Sequence, residues 1–428
     1  ARGQHPRSVL DRIVPGYYHR LEENGAVSTS TCCQNTASEH RMMRKLMVDT
    51  GVRWATAYRV DGFRFDLMGH HMVADMQAVR VALDALTLEH DGVDGGSVYV
   101  YGEGWDFGEV AGGARGVNAS QHNMTGSGIG TFNDRLRDGV RGGGPFSPKQ
   151  ERGFATGLFD GEAMPDEQAA AALNSIDWIR VGLAGNLADF EFIGASGRRL
   201  SGFEVDYKGS GTGYTSDPQE NVVYVSAHDN ETLWDAIAYK AADSLSVPGR
   251  IRMQNLAVSI AALSQGVPLF HAGVEILRSK SLDRDSFDSG DWFNHLDFTY
   301  ESNNWGVGLP PEWANGADWD VMRSLLNRSS LKPRPEHIRG SLAHFVEMLR
   351  IRRSSPLFRL RVADEIHARL AFHNTGPSQL PGLIAMTIQD TAGVDLDPER
   401  ELVAVLFNSR QEDVRFEIRG LRGRAFAL

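Results

Sequence analysis

Three stretches rich in apolar residues each end at a carboxylate, and each is short enough to form one buried strand. Buried strands of a parallel sheet present functional groups at their C-terminal ends. The pattern therefore predicts three acids along one rim of an α/β domain. The stretches and the acids that follow them are 60–65 with Asp66, 98–102 with Glu103, and 222–228 with Asp229.

The segments around these strands have helical periodicity. Residues 39–58 and 72–88 carry apolar side chains at the spacing of amphipathic helices, and each leads towards a strand. Helices and strands in alternation indicate right-handed βαβ units. Further elements are predicted downstream: helices at 230–239 and 251–264, a strand and turn at 179–190, and a last strand at 266–271.

The segment between Glu103 and Asp229 is much longer than two βα repeats require, which is about 60 residues. We therefore expect insertions in it. Its Gly-rich part, 108–144, is typical of rim loops, and the Ala-rich stretch 162–173 is typical of a surface helix.

The pattern changes near the C-terminal end. Apolar residues at 342, 345, 346 and 349 lie on one face of a helix that should end before Ser354 and Pro356. Segments 381–389 and 401–408 are short, β-rich and bounded by turns, which predicts an appended antiparallel sheet.

Alternation along the first strand places Gly62, Arg64 and Asp66 on one face. An arginine beside a carboxylate keeps it ionised and oriented through charge-assisted hydrogen bonds, as a nucleophile requires. An internal ion pair that only fills the mouth of a barrel is the alternative, and this segment alone does not decide between the two.

Glu103 stands between two glycines and shortly before Trp105. There the backbone can approach a ligand closely, an indole can stack on a sugar, and a partly desolvated carboxyl can act as a general acid. An exposed glutamate in a turn is the alternative. His228 places a hydrogen-bond donor beside Asp229, although that short motif alone is a weak signal.

Together these motifs resemble the α-amylase superfamily of glycoside hydrolases, and more narrowly its pullulanase and limit dextrinase branch. The resemblance covers essentially the whole chain, and two stretches look most like the plant-type limit dextrinases. The segments that carry it are 31–33, 61–66, 102–106, 128–135, 226–233, 277–285 and 291–294, with 102–110 and 303–311 as the plant-type stretches.

The resemblance implies a (β/α)₈ TIM barrel followed by an all-β C-terminal domain of β-sandwich type. It implies a retaining glycoside hydrolase that cleaves α-1,6-glucosidic branch linkages in pullulan, amylopectin and limit dextrins. By motif position, Asp66 is the nucleophile, Glu103 the acid/base and Asp229 the transition-state stabiliser. The residues expected to contact substrate are Arg64, Trp105, Phe107, Phe146, His228 and Arg284.

One family motif has no counterpart in the sequence: an Asp and an Asn-His pair at the third barrel strand. We therefore expect the barrel to be incomplete here, with about its first three βα units missing. The expected domains are a partial catalytic barrel with long rim insertions at 1–355 and a truncated β-sandwich at 356–428.

Composition excludes some partners and leaves others open. The net charge is −11 and no Lys/Arg block is present, which argues against nucleic acid, and no apolar stretch approaches the roughly 20 residues of a membrane span. The expected partner is an α-glucan. The location stays open: a plastid if the protein is plant-type, and secretion otherwise.

No cofactor is required for the expected chemistry, because two carboxylates supply both proton transfer and covalent capture. Family analogy leaves room for a structural Ca²⁺, but no ligand spacing identifies metal-binding residues. Cys32 and Cys33 are adjacent, so they cannot cross-link distant segments. A vicinal disulfide and two free thiols both stay open, and thiol catalysis is not indicated, since no His-based pair accompanies them.

Two other functions are compatible with parts of the sequence. An α-1,4-acting relative of the same superfamily would share the acids, but the Trp after Gly104 and the residues at 230–233 argue against it. A noncatalytic glucan-binding relative would belong to another class, and the presence of all three acids argues against that.

We predict that these 428 residues, expressed alone, are inactive and poorly soluble. An incomplete barrel leaves open strand edges and an exposed interior, which favours aggregation. The check is a reducing-end assay on pullulan, in which measurable hydrolysis by this chain would refute the expectation.

Overall fold

The computed structural model describes residues 9–31, 33–161, 164–424 and 426, so Cys32 and the open question of a vicinal disulfide lie outside the described residues. The helices are α1 (Leu10–Ile13), α2 (Arg41–Tyr58), α3 (Val73–Asp84), α4 (Asp134–Arg141), α5 (Asp166–Leu183), α6 (Leu233–Lys240), α7 (Val247–Leu263), α8 (Glu312–Asn315), α9 (Trp319–Leu326), α10 (Pro335–Ser354) and α11 (Ala363–Arg369). The strands are β1 (Gly62–Phe65), β2 (Tyr99–Gly102), β3 (Gly130–Phe132), β4 (Glu191–Ile193), β5 (Arg199–Ser201), β6 (Asp206–Tyr207), β7 (Ser210–Gly211), β8 (Asn221–Val223), β9 (Val267–Pro268), β10 (Leu370–Phe372), β11 (Leu383–Gln389) and β12 (Leu402–Asn408).

The chain divides into two compact units, 1–132 with 214–222, and 133–213 with 223–428. In the first unit β1 pairs with β2, β2 with β3, and β3 with β8, all in parallel. In register, Phe65 lies beside Gly102, so Asp66 and Glu103 follow two neighbouring strands at the same edge. The parallel pairing predicted from the sequence is confirmed for these two strands.

Helix α2 confirms the prediction at 39–58, but its buried face differs from the expected one. Leu46 and Trp54, counted as core positions from their spacing, are 41% and 47% exposed. The buried positions are Met43 and the small residues Gly51 and Ala55, and the two small residues let α2 approach α3 closely.

Strand β3 and helix α4 correct the prediction that 108–144 consists only of rim loops. All of Gly130–Phe132 is buried, and α4 is capped by Asn133, whose side chain accepts a hydrogen bond from the Leu136 N–H. Three residues are too few to produce a recognisable strand pattern in sequence. In α4, Gly139 sits where a Cβ would lie 2.9 Å from Ile179, so the glycine serves close helix packing.

The strand predicted within 179–190 is wrong, since α5 runs on to Leu183, whereas the predicted turn is confirmed directly after the helix, at 184–186. Its second half is buried, and a continuous apolar run does not distinguish a strand from a buried helix. Asp177 and Arg180 form an ion pair of 2.5 Å one helical turn apart, a contact that only the helical conformation allows here.

The second unit ends in an antiparallel sheet with the order β10, β11, β12. Its two longer strands confirm the predictions at 381–389 and 401–408. β11 is buried along nearly its whole length and joins a hydrophobic core that also contains residues of α7. The domain boundary expected at 355/356 stays a prediction.

In the part of the chain that the structure describes, no helix is long and apolar enough to cross a membrane.

We expect Ile384→Ala in β11 to lower the free energy of unfolding by about 2–5 kcal/mol, because Ile384 is fully buried and its removal leaves a cavity. Leu406→Ala in β12 is the matched control, since Leu406 is 50% exposed. Urea unfolding of both variants tests this. Equal losses would show that the core does not extend through β11.

Candidate active site

Asp66 follows β1 directly and is exposed, with 75% of its side chain accessible to solvent. Its Oδ1 accepts a hydrogen bond from Nη1 of Arg64 at 2.5 Å. Arg64 is itself only 24% exposed and lies 6.0 Å from the ring centroid of Phe132. Arg64 therefore holds one oxygen of the Asp66 carboxylate, while most of this side chain stays open to solvent.

Glu103 follows β2 and is almost completely buried, with 9% of its side chain exposed. Its Oε1 lies 2.9 Å from Nη2 of the same Arg64. Its Oε2 accepts a hydrogen bond from the Leu67 N–H at 2.8 Å. One guanidinium thus bridges the two acids, and its planar fork fixes both carboxylates in one orientation.

The backbone around Glu103 is packed too tightly for side chains. The Gly69 N–H donates to the Glu103 carbonyl at 2.7 Å, and a Cβ on Gly69 would lie 2.1 Å from the carbonyl oxygen of Trp105. Trp105 and Phe107 are half-buried. Phe107 packs edge-to-face on His70, with ring centroids 4.7 Å apart.

Glu109 anchors the loop that follows Glu103, and sequence reasoning missed it. It accepts hydrogen bonds from Arg20 at 2.8 Å, from Asn35 at 2.7 Å and from Ser30 at 2.5 Å. Burial raises the pKa of the Glu109 carboxyl, but the hydrogen bonds from Ser30, Arg20 and Asn35 outweigh it and lower that pKa to about 2. The sequence signal was only an acid in a Gly-rich segment, with all its partners more than 70 residues away.

In the second unit, His228 and Asp229 are both exposed, and Nε2 of His228 lies 3.4 Å from Oδ1 of Asp229. Asn230 then takes a left-handed conformation, with φ of 61°, which an Asn tolerates better than most residues. Thr232 caps α6 by accepting a hydrogen bond from the Asp235 N–H. The third acid therefore lies on a short turn just before a helix.

Two further expected substrate contacts meet in the second unit. The guanidinium carbon of Arg284 lies 5.4 Å from the centroid of the Phe146 ring, a cation–π contact. Phe146 is 93% exposed, so its other face is free to stack on a ligand. Nothing in the sequence spacing connects these residues, which are 138 positions apart in the chain.

The expected site residues thus form two groups. The first unit brings together Arg64, Asp66, Glu103, Trp105 and Phe107, and the second holds Phe146, His228, Asp229 and Arg284. The roles of these residues, and the convergence of all three acids, stay predictions. Among the described residues, no three His, Cys, Asp or Glu side chains come together as metal ligands.

From the low pKa of Glu109 we predict how the stability of the fold depends on pH. Because the folded-state pKa is about 2 and the ordinary value is 4.5, the ionised carboxylate stabilises the fold above pH 4.5, and this contribution disappears as the pH falls towards 2. We expect Glu109→Gln to lower the urea midpoint at pH 7, with a smaller difference from the unsubstituted protein at pH 3.5.

The control for this experiment is Glu191→Gln. Glu191 pairs with Arg199 at the surface, where ion pairs contribute little. A difference between the Glu109 variant and the unsubstituted protein that is the same at both pH values would contradict the assignment.

Comparison with known proteins shows which proteins the chain resembles. Residues 300–428 match the family model for the C-terminal domain of pullulanase-type alpha-1,6-glucosidases. The whole chain is 48% identical to a chloroplastic pullulanase of Arabidopsis thaliana and covers 46% of that protein. It is 42% identical, over 95% of its length, to a Klebsiella pneumoniae pullulanase, of which it covers 37%.

Solved structures agree with the sequence matches. The maltotriose complex of PulA from Klebsiella pneumoniae superposes on 96% of the chain with a TM-score of 0.89 at 42% identity, and the chain covers 44% of it. An apo pullulanase from Paenibacillus barengoltzii matches 93% of the chain with a TM-score of 0.65 at 28% identity. The chain thus spans less than half the length of these relatives and is similar to pullulanases over nearly all of its own length, and its residues 300–428 match the pullulanase-type C-terminal family.

Proposed function

We propose that this chain carries the catalytic acids of a debranching enzyme that hydrolyses α-1,6-glucosidic linkages in pullulan, amylopectin and limit dextrins. The observation that carries the proposal is the Arg64 bridge between Asp66 and Glu103. Arg64 contacts one exposed carboxylate and one buried carboxylate. A nucleophile and a proton donor need two carboxyl groups in different environments of this kind.

Asp66 is proposed as the nucleophile, because its open face can reach an anomeric carbon while the hydrogen bond from Arg64 holds it in one orientation. Glu103 is proposed as the acid/base. It first protonates the departing glucosidic oxygen and then deprotonates the water that releases the sugar from Asp66, so the anomeric configuration is retained. Asp229, beside His228, is proposed to stabilise positive charge at the anomeric carbon.

The substrate contacts are proposed from the same two groups. Trp105 and Phe107 supply aromatic surface next to Glu103, and Phe146 offers an exposed ring held by Arg284. Aromatic faces of this kind pack well against the apolar face of a glucose ring. Arg64 and His228 support the acids rather than select the substrate.

The fold and the location of the protein are proposed from its similarity to the pullulanases. We propose that the parallel strands belong to a (β/α)₈ barrel with a following β-domain, as the likeness to the Klebsiella structures supports. The chloroplastic location of the Arabidopsis relative supports a plastid setting for a plant-type protein. Two carboxylates suffice for the reaction, so the proposal includes no cofactor.

The test uses the parent protein, by which we mean a protein of the length of the relatives that contains this chain. Pullulan and amylose are assayed in parallel as substrates. We expect hydrolysis of pullulan and little action on amylose. Glu103→Gln should lower kcat by about 10²- to 10⁴-fold, the usual contribution of a general acid, and Asp66→Asn by at least as much. The control is Asp61→Asn, an exposed neighbour on the same segment whose backbone carbonyl alone makes a sheet contact.

The outcomes separate the three functions. Cleavage of amylose in preference to pullulan would identify an α-1,4-acting relative, and full turnover by Asp66→Asn would support a noncatalytic role for the site. Proton NMR of the first product, showing the α-anomer, checks retention.

A further inference from the structure

Lys280 lies in an irregular segment of the second unit, and its side chain is completely buried. Its ammonium donates hydrogen bonds to two backbone carbonyls, that of His228 at 3.0 Å and that of Arg284 at 2.9 Å. Burial lowers the pKa of Lys280. A buried ammonium is costly unless hydrogen-bonded, so this arrangement has a purpose beyond filling space.

The two carbonyls belong to segments that carry different parts of the candidate site. His228 immediately precedes Asp229, the third acid. Arg284 is the residue that lies over the exposed ring of Phe146. One ammonium therefore ties the position of the acid to the position of an aromatic contact surface.

The base of Lys280 is itself fixed by Asp235, which is fully buried in the first turn of α6. Asp235 accepts hydrogen bonds from the Ser279 hydroxyl at 2.6 Å, from the Lys280 N–H at 2.8 Å and from the Leu282 N–H at 3.2 Å. Burial raises the pKa of the Asp235 carboxyl to about 6, although these hydrogen bonds oppose the change. The lysine thus projects from a rigid turn.

The backbone of this turn is under strain. Leu277, Ser281 and Leu282 all take left-handed conformations, with φ of 60°, 54° and 69°. Such conformations persist only where surrounding contacts impose them, which happens mostly at functional sites. In this turn the Lys280 side chain reaches the carbonyls of His228 and Arg284.

We propose that Lys280 is a positioning residue, which holds Asp229 and the Arg284–Phe146 pair in the relative arrangement that hydrolysis requires. The inference rests on the proposed function and extends it to a side chain that touches no substrate. Because Asp229 is proposed to act on the transition state, loss of the clamp should affect kcat more than substrate binding.

The experiment compares Lys280→Met with Arg352→Met in the full-length parent protein. Arg352 is a matched control, since it is also a buried cation that donates to backbone carbonyls, those of Ala262, Ser264 and Gly266, none of which belongs to the site. We expect Lys280→Met to lower kcat on pullulan by about 100-fold, the scale of a 1 Å misplacement, with a smaller change in KM. Arg352→Met should lower Tm and leave kcat nearly unchanged.

Chemical rescue gives a readout that loss of stability cannot imitate. Lys280→Ala removes the atoms of a propylammonium ion, so added propylammonium should restore part of kcat. Tetramethylammonium has no N–H donors and should not. Lys280→Gln, whose amide can reach one carbonyl, serves where Lys280→Met does not fold and should have an intermediate kcat.

Three results would overturn the inference. The first is a Lys280→Met protein with a lowered Tm and kcat within about twofold of the parent. The second is insolubility of both the Met and Gln variants, which would assign Lys280 to folding alone. The third is equal rescue by both ions. An unsubstituted parent that does not cleave pullulan would instead overturn the proposed function, and the inference with it.

Discussion

The candidate site depends on one guanidinium between two carboxylates. Two carboxylates brought near each other repel, and a cation between them offsets that repulsion. Arg64 supplies that cation from the strand that ends at Asp66, and it reaches Glu103 because β1 and β2 pair in register. The two acids differ in exposure: Glu103 is buried and accepts a hydrogen bond from the Leu67 N–H, whereas the Asp66 side chain is 75% exposed.

In the second unit, buried cations hold the candidate-site segments in place by binding backbone carbonyl groups. Its irregular segments have few backbone partners, so buried cations bind their carbonyl groups instead. Lys280 does so for two site segments, and Lys240 does so for the carbonyls of Gly142 and Glu151, at the neck of the loop that carries Phe146. Arg250 likewise donates to the carbonyls of Ile237, in the last turn of α6, and of Ala242, just after the helix. Loops held in this way can expose functional tips without collapsing.

Much of the fold was visible in the sequence, and the exceptions have physical causes. Long periodic helices such as α2 and α10 were located within a few residues, and so were β11 and β12. The failures came where periodicity carries no information. The buried run at 179–190 was assigned to a strand because its few polar residues, Arg180, Asn186 and Asp189, do not mark a helical period, and β3 is only three residues long. The exposed Trp54 shows that spacing alone does not identify which apolar residue packs.

The site could be predicted to the level of its acids and no further. Asp66 and Glu103 were identified because each ends an apolar strand, a feature of the local sequence. Glu109 and Lys280 were missed as anchors because each binds at least one partner distant in the chain, and a polar residue in a loop looks the same in sequence whether it is solvated or buried. Family motifs mark the residues that touch a ligand. The residues that hold them in place are found only when the hydrogen bonds of buried charges are traced, because an unpaired buried charge is too costly to persist.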